Sequence, residues 1–254
     1  MTRIFIVTIL LTIFSSLVFA QQPVQSLQDI NWMTEEYAPF NFTEGGVLKG
    51  ISVDILLEVW KKTDTAKTVK DIEVLPWARG LMYVKQKKNS CLFSTSITDE
   101  RKKQFVFAGS ISDNDNVILA RKSKGYKINA IADLKSLVIG TVREDAGEQL
   151  LLSSGWEVAN LERSSSVESL IRKLAIERMD AISYGMETSI YNMKILGIDP
   201  DKYEKIYLLR RTQLAYAFNR ETNPEIIVLF QKAFDELEKD GTIEKIRAKY
   251  LKHG

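Results

Sequence analysis

The run Ser94-Thr95-Ser96-Ile97-Thr98-Asp99-Glu100-Arg101 carries the chain's clearest chemistry. Small hydroxyl residues end an apolar strand, and an arginine follows just past a turn. Such an arrangement can hold a carboxylate, with hydroxyls and backbone N–H groups on one side and a guanidinium fork on the other. The fork donates two parallel hydrogen bonds and stays charged at any relevant pH. The competing reading is an ordinary surface arginine paired with Asp99 or Glu100, since most charged residues are solvated. Thr98 is placed to cap a short helix carrying Arg101.

Other chemistries find little support. Cys91 is the only cysteine and lies in the apolar run Cys91-Leu92-Phe93, where a buried small hydrophobe is expected. It allows no intramolecular disulfide. His253 is the only histidine and stands next to the C-terminal residue. A Ser–His–Asp triad and a Cys/His zinc site are therefore not expected, nor is any cofactor. The 254 residues carry 35 Lys+Arg against 33 Asp+Glu, a balance that argues against a nucleic-acid or membrane-surface role. Asn41-Phe42-Thr43 matches a glycosylation acceptor pattern, which a single match does not establish.

Hydrophobic patterning supplies the elements that must position these groups. Arg3, an apolar stretch from Ile4 to Phe19 and a small residue at Ala20 read as a secretory signal peptide over residues 1–20, with a membrane anchor as the alternative. Behind it, short strands alternate with amphipathic helices, the signature of α/β layering. Strands are predicted over Ile30–Thr34, Ile72–Leu75, Ser90–Ser94, Val117–Arg121, Leu137–Thr141 and Asp180–Tyr184. Helices are predicted over Gly50–Trp60, Ala78–Lys87, Ala130–Leu134, from about Ala146, over Ser166–Leu174 with a serine cap, and over Pro224–Lys239 and Ile243–Leu251. The polar or extended segments Ser112–Asn116 and Thr212–Tyr216 are the boundary candidates.

The arginine run resembles the ligand-anchoring segment of the family 3 bacterial solute-binding proteins, and the resemblance extends from about Asp29 to Leu251. Thr34-Glu35-Glu36-Tyr37-Ala38-Pro39-Phe40 is similar to that family's opening strand and aromatic loop. Gly50-Ile51-Ser52-Val53-Asp54 resembles the next helix start, Leu75-Pro76-Trp77-Ala78-Arg79 a variant of one branch, and Glu238 to Ile246 its C-terminal signature. The resemblance implies a type II periplasmic-binding fold: two α/β lobes, each a mixed sheet flanked by helices, closing on a ligand. It assigns 21–114 and 216–254 to lobe 1 and 115–215 to lobe 2. The carboxylate anchor would be Arg101, with Ser94 and Ser96 as hydroxyl or backbone partners. Tyr37 would form an aromatic wall, Trp77 and Arg79 would border the cleft, and Arg143–Ala146 would bring a helix N-terminus to it.

Two departures from the family pattern stand out. Gly185 stands where an aspartate usually binds the ligand's α-ammonium. Glu144 stands where glycine is usual, and Asp145 and Ala146 stand where small hydroxyl residues are. A replacement carboxylate would come from Glu35, Glu36, Glu144, Asp145 or Glu187, or the ligand would lack that ammonium. The resemblance implies a monomeric periplasmic receptor for a small polar, amino-acid-like carboxylate, serving an ABC permease or, alternatively, docking on a membrane sensor. A third possibility is an enzyme on the same scaffold, a dehydratase or lyase using Glu144 or Glu187.

Overall fold

The computed structural model describes residues 26–251. The expected signal segment and His253 lie outside the described residues. Ten strands and eight α-helices alternate along that stretch. Eight of the strands form one mixed sheet in the order β4-β1-β5-β10-β6-β9-β7-β8.

One half of the sheet is parallel: β1 (Asn31–Thr34) lies between β4 (Ile72–Val74) and β5 (Ser90–Ser96). The other half contains β7 (Ile139–Val142), β8 (Leu161–Ser164) and β9 (Ala181–Gly185), also mutually parallel. Two long antiparallel strands, β6 (Phe105–Arg121) and β10 (Tyr203–Asn219), join the halves. Leu214–Phe218 of β10 pairs with β5, whereas Asn116–Ala120 of β6 pairs with β9. The β6–β10 ladder shifts register between Leu208 and Arg210 and again around Ala215, and such bulges bend a strand. Ser112–Asn116 and Thr212–Tyr216 lie inside β6 and β10. Their polar composition masks a continuous ladder of backbone hydrogen bonds.

The helices follow their apolar spacing. In α1 (Ile51–Lys62) the expected face of Ile51, Ile55 and Val59 is fully buried. The long α7 (Pro224–Lys239) starts with Pro224 in its first turn, where the missing N–H costs nothing. It packs on α1 and brings Phe230 against Trp32, Tyr216 and Phe218, with ring centroids 4.7–5.8 Å apart. The last helix, α8 (Thr242–Leu251), also contacts α1, so the C-terminal pair returns to the β1 half. In the β9 half, Ser166 caps α5 (Val167–Ala175) by accepting from the Ser169 N–H at 3.2 Å. The segment expected as a helix over Ala130–Leu134 is a 3-10 turn over Ile131–Ser136.

Sequence reading passed over the hairpin of β2 (Phe42–Glu44) and β3 (Val47–Lys49), which is short and half exposed. The helix α6 (Met186–Ile195) and the strand β8 carry weak periodicity and were passed over as well, whereas α3 (Asp99–Lys102) is the short helix expected around Arg101. Cys91 is buried, as expected of a small hydrophobe. Asn41 is also buried, donating to the Glu35 carbonyl, so its acceptor pattern is coincidental.

A closed cleft around a buried arginine

The site is built where the two sheet halves face each other. Thr98 caps α3, its hydroxyl accepting from the Arg101 N–H at 3.2 Å. That cap turns the arginine inward, and Arg101 is 1% exposed. The surface-arginine reading fails here: Asp99 pairs with Arg210 and Lys102, and Glu100 with Lys103. The Arg101 guanidinium lies over the Trp77 ring, 4.8 Å from its centroid. Its Nη1 donates to the Ser96 carbonyl at 3.4 Å and its Nη2 to the Glu144 carbonyl at 3.0 Å. Nε is buried without a partner.

The Glu144 carbonyl is the junction between the halves. It also accepts from Trp77 Nε1 at 2.8 Å, the first residue of α2 (Trp77–Gln86). Glu144 reaches this position with φ of +62°, the left-handed region that favours glycine. The glycine that the family resemblance leads one to expect here therefore has a conformational reason. The turn is fastened by Glu148, whose buried carboxylate accepts from the Glu144 N–H at 2.6 Å and from Arg163 Nε and Nη2 at 2.6 and 3.0 Å. The Glu144 side chain itself is about half exposed and pairs with Arg163 at 3.7 Å. What reaches the cleft from Glu144 is its backbone.

The expected site residues fall into three groups. Arg101, Trp77, Tyr37, Ser96 and Gly185 come together. Tyr37 stacks on Phe40 and meets Tyr184 edge-on, with centroids 5.7 and 5.6 Å apart. Its hydroxyl is turned towards Asn114 and Thr188. Ser96 offers its carbonyl to Arg101 and its hydroxyl to Asn114 Nδ2 at 3.1 Å. Ser94, with φ of +58°, bonds Ser52 Oγ at 2.6 Å and Asn41, which commits its hydroxyl within the β1 half. Arg79 is exposed, two positions on from Trp77 and so on another side of α2, with its guanidinium over Tyr83. It does not join the cluster.

Gly185 ends β9, and the space beside it is taken. A Cβ there would stand 2.6 Å from the Tyr37 hydroxyl and 2.9 Å from Asn114 Oδ1. The helix α4 (Ala146–Ser153) is likewise self-capped: Asp145 Oδ1 accepts from the Gly147 N–H at 3.0 Å. Asp145 is buried, which raises its pKa, while the Arg101 charge pulls it back down. Glu35 is pushed well above the usual carboxylate range, first by desolvation and then by Asp145, with Arg101 opposing. Sequence reasoning kept both Asp145 and Glu35 among several replacement acids. Tyr184 and Asn114 were missed, since each sits in an ordinary strand pattern.

A cavity of about 630 Å³ opens beside this cluster. It is lined by Glu35, Phe42 and Trp77 from one half and by Ser166, Glu168 and Asn192 from the other. Among the described residues, no group of three or more His, Cys, Asp or Glu side chains could hold a metal ion. Nor is any helix among them long and apolar enough to cross a membrane.

Comparison with known proteins matches residues 30–253 to the sequence model of the bacterial extracellular solute-binding proteins, family 3. The probable amino-acid-binding protein YxeM of Bacillus subtilis is 27% identical over 228 residues, spanning 86% of this chain and 81% of that protein. A histidine kinase sensor domain with similarity to periplasmic binding proteins superposes with a TM-score of 0.77 at 18% identity, covering 87% of this chain and 96% of that one. An ABC uptake transporter substrate-binding protein from Streptococcus pneumoniae with bound histidine gives 0.76 at 18%, covering 89% and 94%. These structures share the type II periplasmic-binding fold with this chain.

Proposed function

Since the chain belongs to the family 3 bacterial extracellular solute-binding proteins, we propose that it captures a small polar, amino-acid-like carboxylate by closure of two lobes. Lobe 1 comprises 21–114 and 216–254, lobe 2 comprises 115–215, and β6 and β10 form the hinge. Arg101 grips the carboxylate, Ser96 and Trp77 orient the guanidinium, and Tyr37 and Tyr184 wall the guest. Residues 1–20 direct export to the periplasm, and an ABC permease receives the solute. The protein binds and releases its ligand without turning it over.

One observation carries this reading: a guanidinium sealed between the sheet halves, with Nε unpartnered and no carboxylate paired to it among the described residues. A buried charge in that state is costly unless an anion completes it. Ligand contacts from both lobes would favour the closed form in proportion to the difference in affinity for the two forms.

Isothermal titration of the mature protein against the twenty protein amino acids tests the reading, with small carboxylates included. At least one compound should bind, and Arg101→Ala should abolish its binding. Arg101→Lys, which keeps the charge but loses the fork, should bind it more weakly than the natural protein. The absence of any ligand with Kd below about 1 mM refutes the proposal, as does unaltered affinity in Arg101→Ala.

A further inference from the structure

Three charged groups share the closed cleft without pairing. Glu35 and Asp145 both act electrostatically on Arg101, Asp145 more strongly. Yet among the described residues neither forms an ion pair with it. The buried, unpartnered polar atoms of this cluster include Arg101 Nε and the Tyr184 hydroxyl, each on a side chain 1% exposed. Tyr184 feels the charge of Glu35 first, then that of Asp145.

The neighbouring charges do not cancel this arrangement. Glu148 is neutralised by Arg163, and Glu144 turns its carboxylate to the same arginine. Glu36 is exposed and bonds Thr43. One buried cation is therefore acted on by two carboxyl groups, one more than its charge can balance when both are ionised. Position 185 offers no alternative receiver, because the Tyr37 hydroxyl and Asn114 fill the space a side chain there would need.

We propose that Glu35 and Asp145 jointly receive the ligand's amino group, one from each half of the sheet, in place of a carboxylate at position 185. The inference rests on the cleft being the solute site. It also couples binding to protons. Burial raises Glu35 well above the usual carboxylate range, with Asp145 and Glu36 adding to the shift and Arg101 opposing it. Burial thus favours the protonated form of Glu35 while no ligand is bound. An entering ammonium favours the ionised form and displaces that proton, so affinity rises with pH across the window in which Glu35 is protonated only in the empty protein.

The test compares the tightest-binding amino acid of the panel with the same acid lacking its α-amino group. Glu35→Gln keeps the shape, and Asp145→Asn keeps an efficient helix cap. Each should weaken the amino acid about tenfold or more while leaving the deamino acid within about twofold. Titration in phosphate and in Tris, repeated across a series of pH values, should show proton release for the natural protein over part of the range and none for Glu35→Gln. Equal affinity for the two acids overturns the inference, as does amino-acid binding that neither variant alters. An amine-free carboxylate that binds through Arg101 while every amino acid fails overturns this inference alone. Failure of every compound overturns the receptor reading with it.

Discussion

Gly185→Ala is a sharp test of how the cleft closes. The backbone at Gly185 is ordinary, with φ of −64° and ψ of 130°, so alanine meets no conformational penalty there. The obstacle is space, because the added methyl would lie 2.6 Å from the Tyr37 hydroxyl and 2.9 Å from Asn114 Oδ1. Neither group can easily retreat. Tyr37 is 4% exposed and held between Phe40 and Tyr184, and Asn114 is tied to Ser96. Overpacking of this kind costs about 1–3 kcal/mol. Tyr37 follows β1 and Gly185 ends β9, so the cost falls on the approach of the two halves rather than on the folding of either. Where binding requires closure, Kd rises by about 5- to 150-fold. Removing the hydroxyl with Tyr37→Phe leaves the Tyr37 ring carbon at 3.7 Å, an ordinary contact. The double variant should therefore recover part of the lost affinity, a coupling that a double-mutant cycle reads directly. Isothermal titration of all four proteins provides the numbers. Natural affinity in Gly185→Ala, or no recovery in the double variant, refutes the account of a filled 185 position.

Two further substitutions probe the turn beneath the cleft. Glu144→Gly relieves a left-handed backbone worth about 1 kcal/mol and loses a half-exposed ion pair worth less than that. Thermal melting should rise by at most about 2–4 °C with ligand affinity preserved, since the carbonyl remains; a lower melting point contradicts the strain argument. Glu148→Ala strands Arg163, Thr141 and the Glu144 N–H around an empty space. Urea unfolding should show a loss of about 3–5 kcal/mol, and a loss below about 1 kcal/mol contradicts the role given to Glu148.

Much of the fold was legible because it is local. The apolar spacing of Ile51, Ile55 and Val59 predicts a buried helix face, and Thr98 and Ser166 cap the helices expected of them. Composition did not show the ladder on which these polar residues ride: Ser112–Asn116 reads as a crossing segment, and it lies within a strand of 17 residues that runs between the two halves. Backbone partners more than 90 residues away supply what the side chains do not signal.

The site divides along the same line. The family resemblance, more than spacing, singles out Arg101, Trp77 and Tyr37, whose guanidinium, indole and phenol carry their chemistry wherever they are placed. Glu144 shows the opposite case: its charge drew notice, but its carbonyl is what meets Arg101 and Trp77. Arg79, Ser94 and Glu35 were equally plausible on paper. The chain alone determines which residues are able to grip an acid or an amine. Only the folded arrangement decides which of them face one another, because charge and volume act through space between segments far apart in sequence.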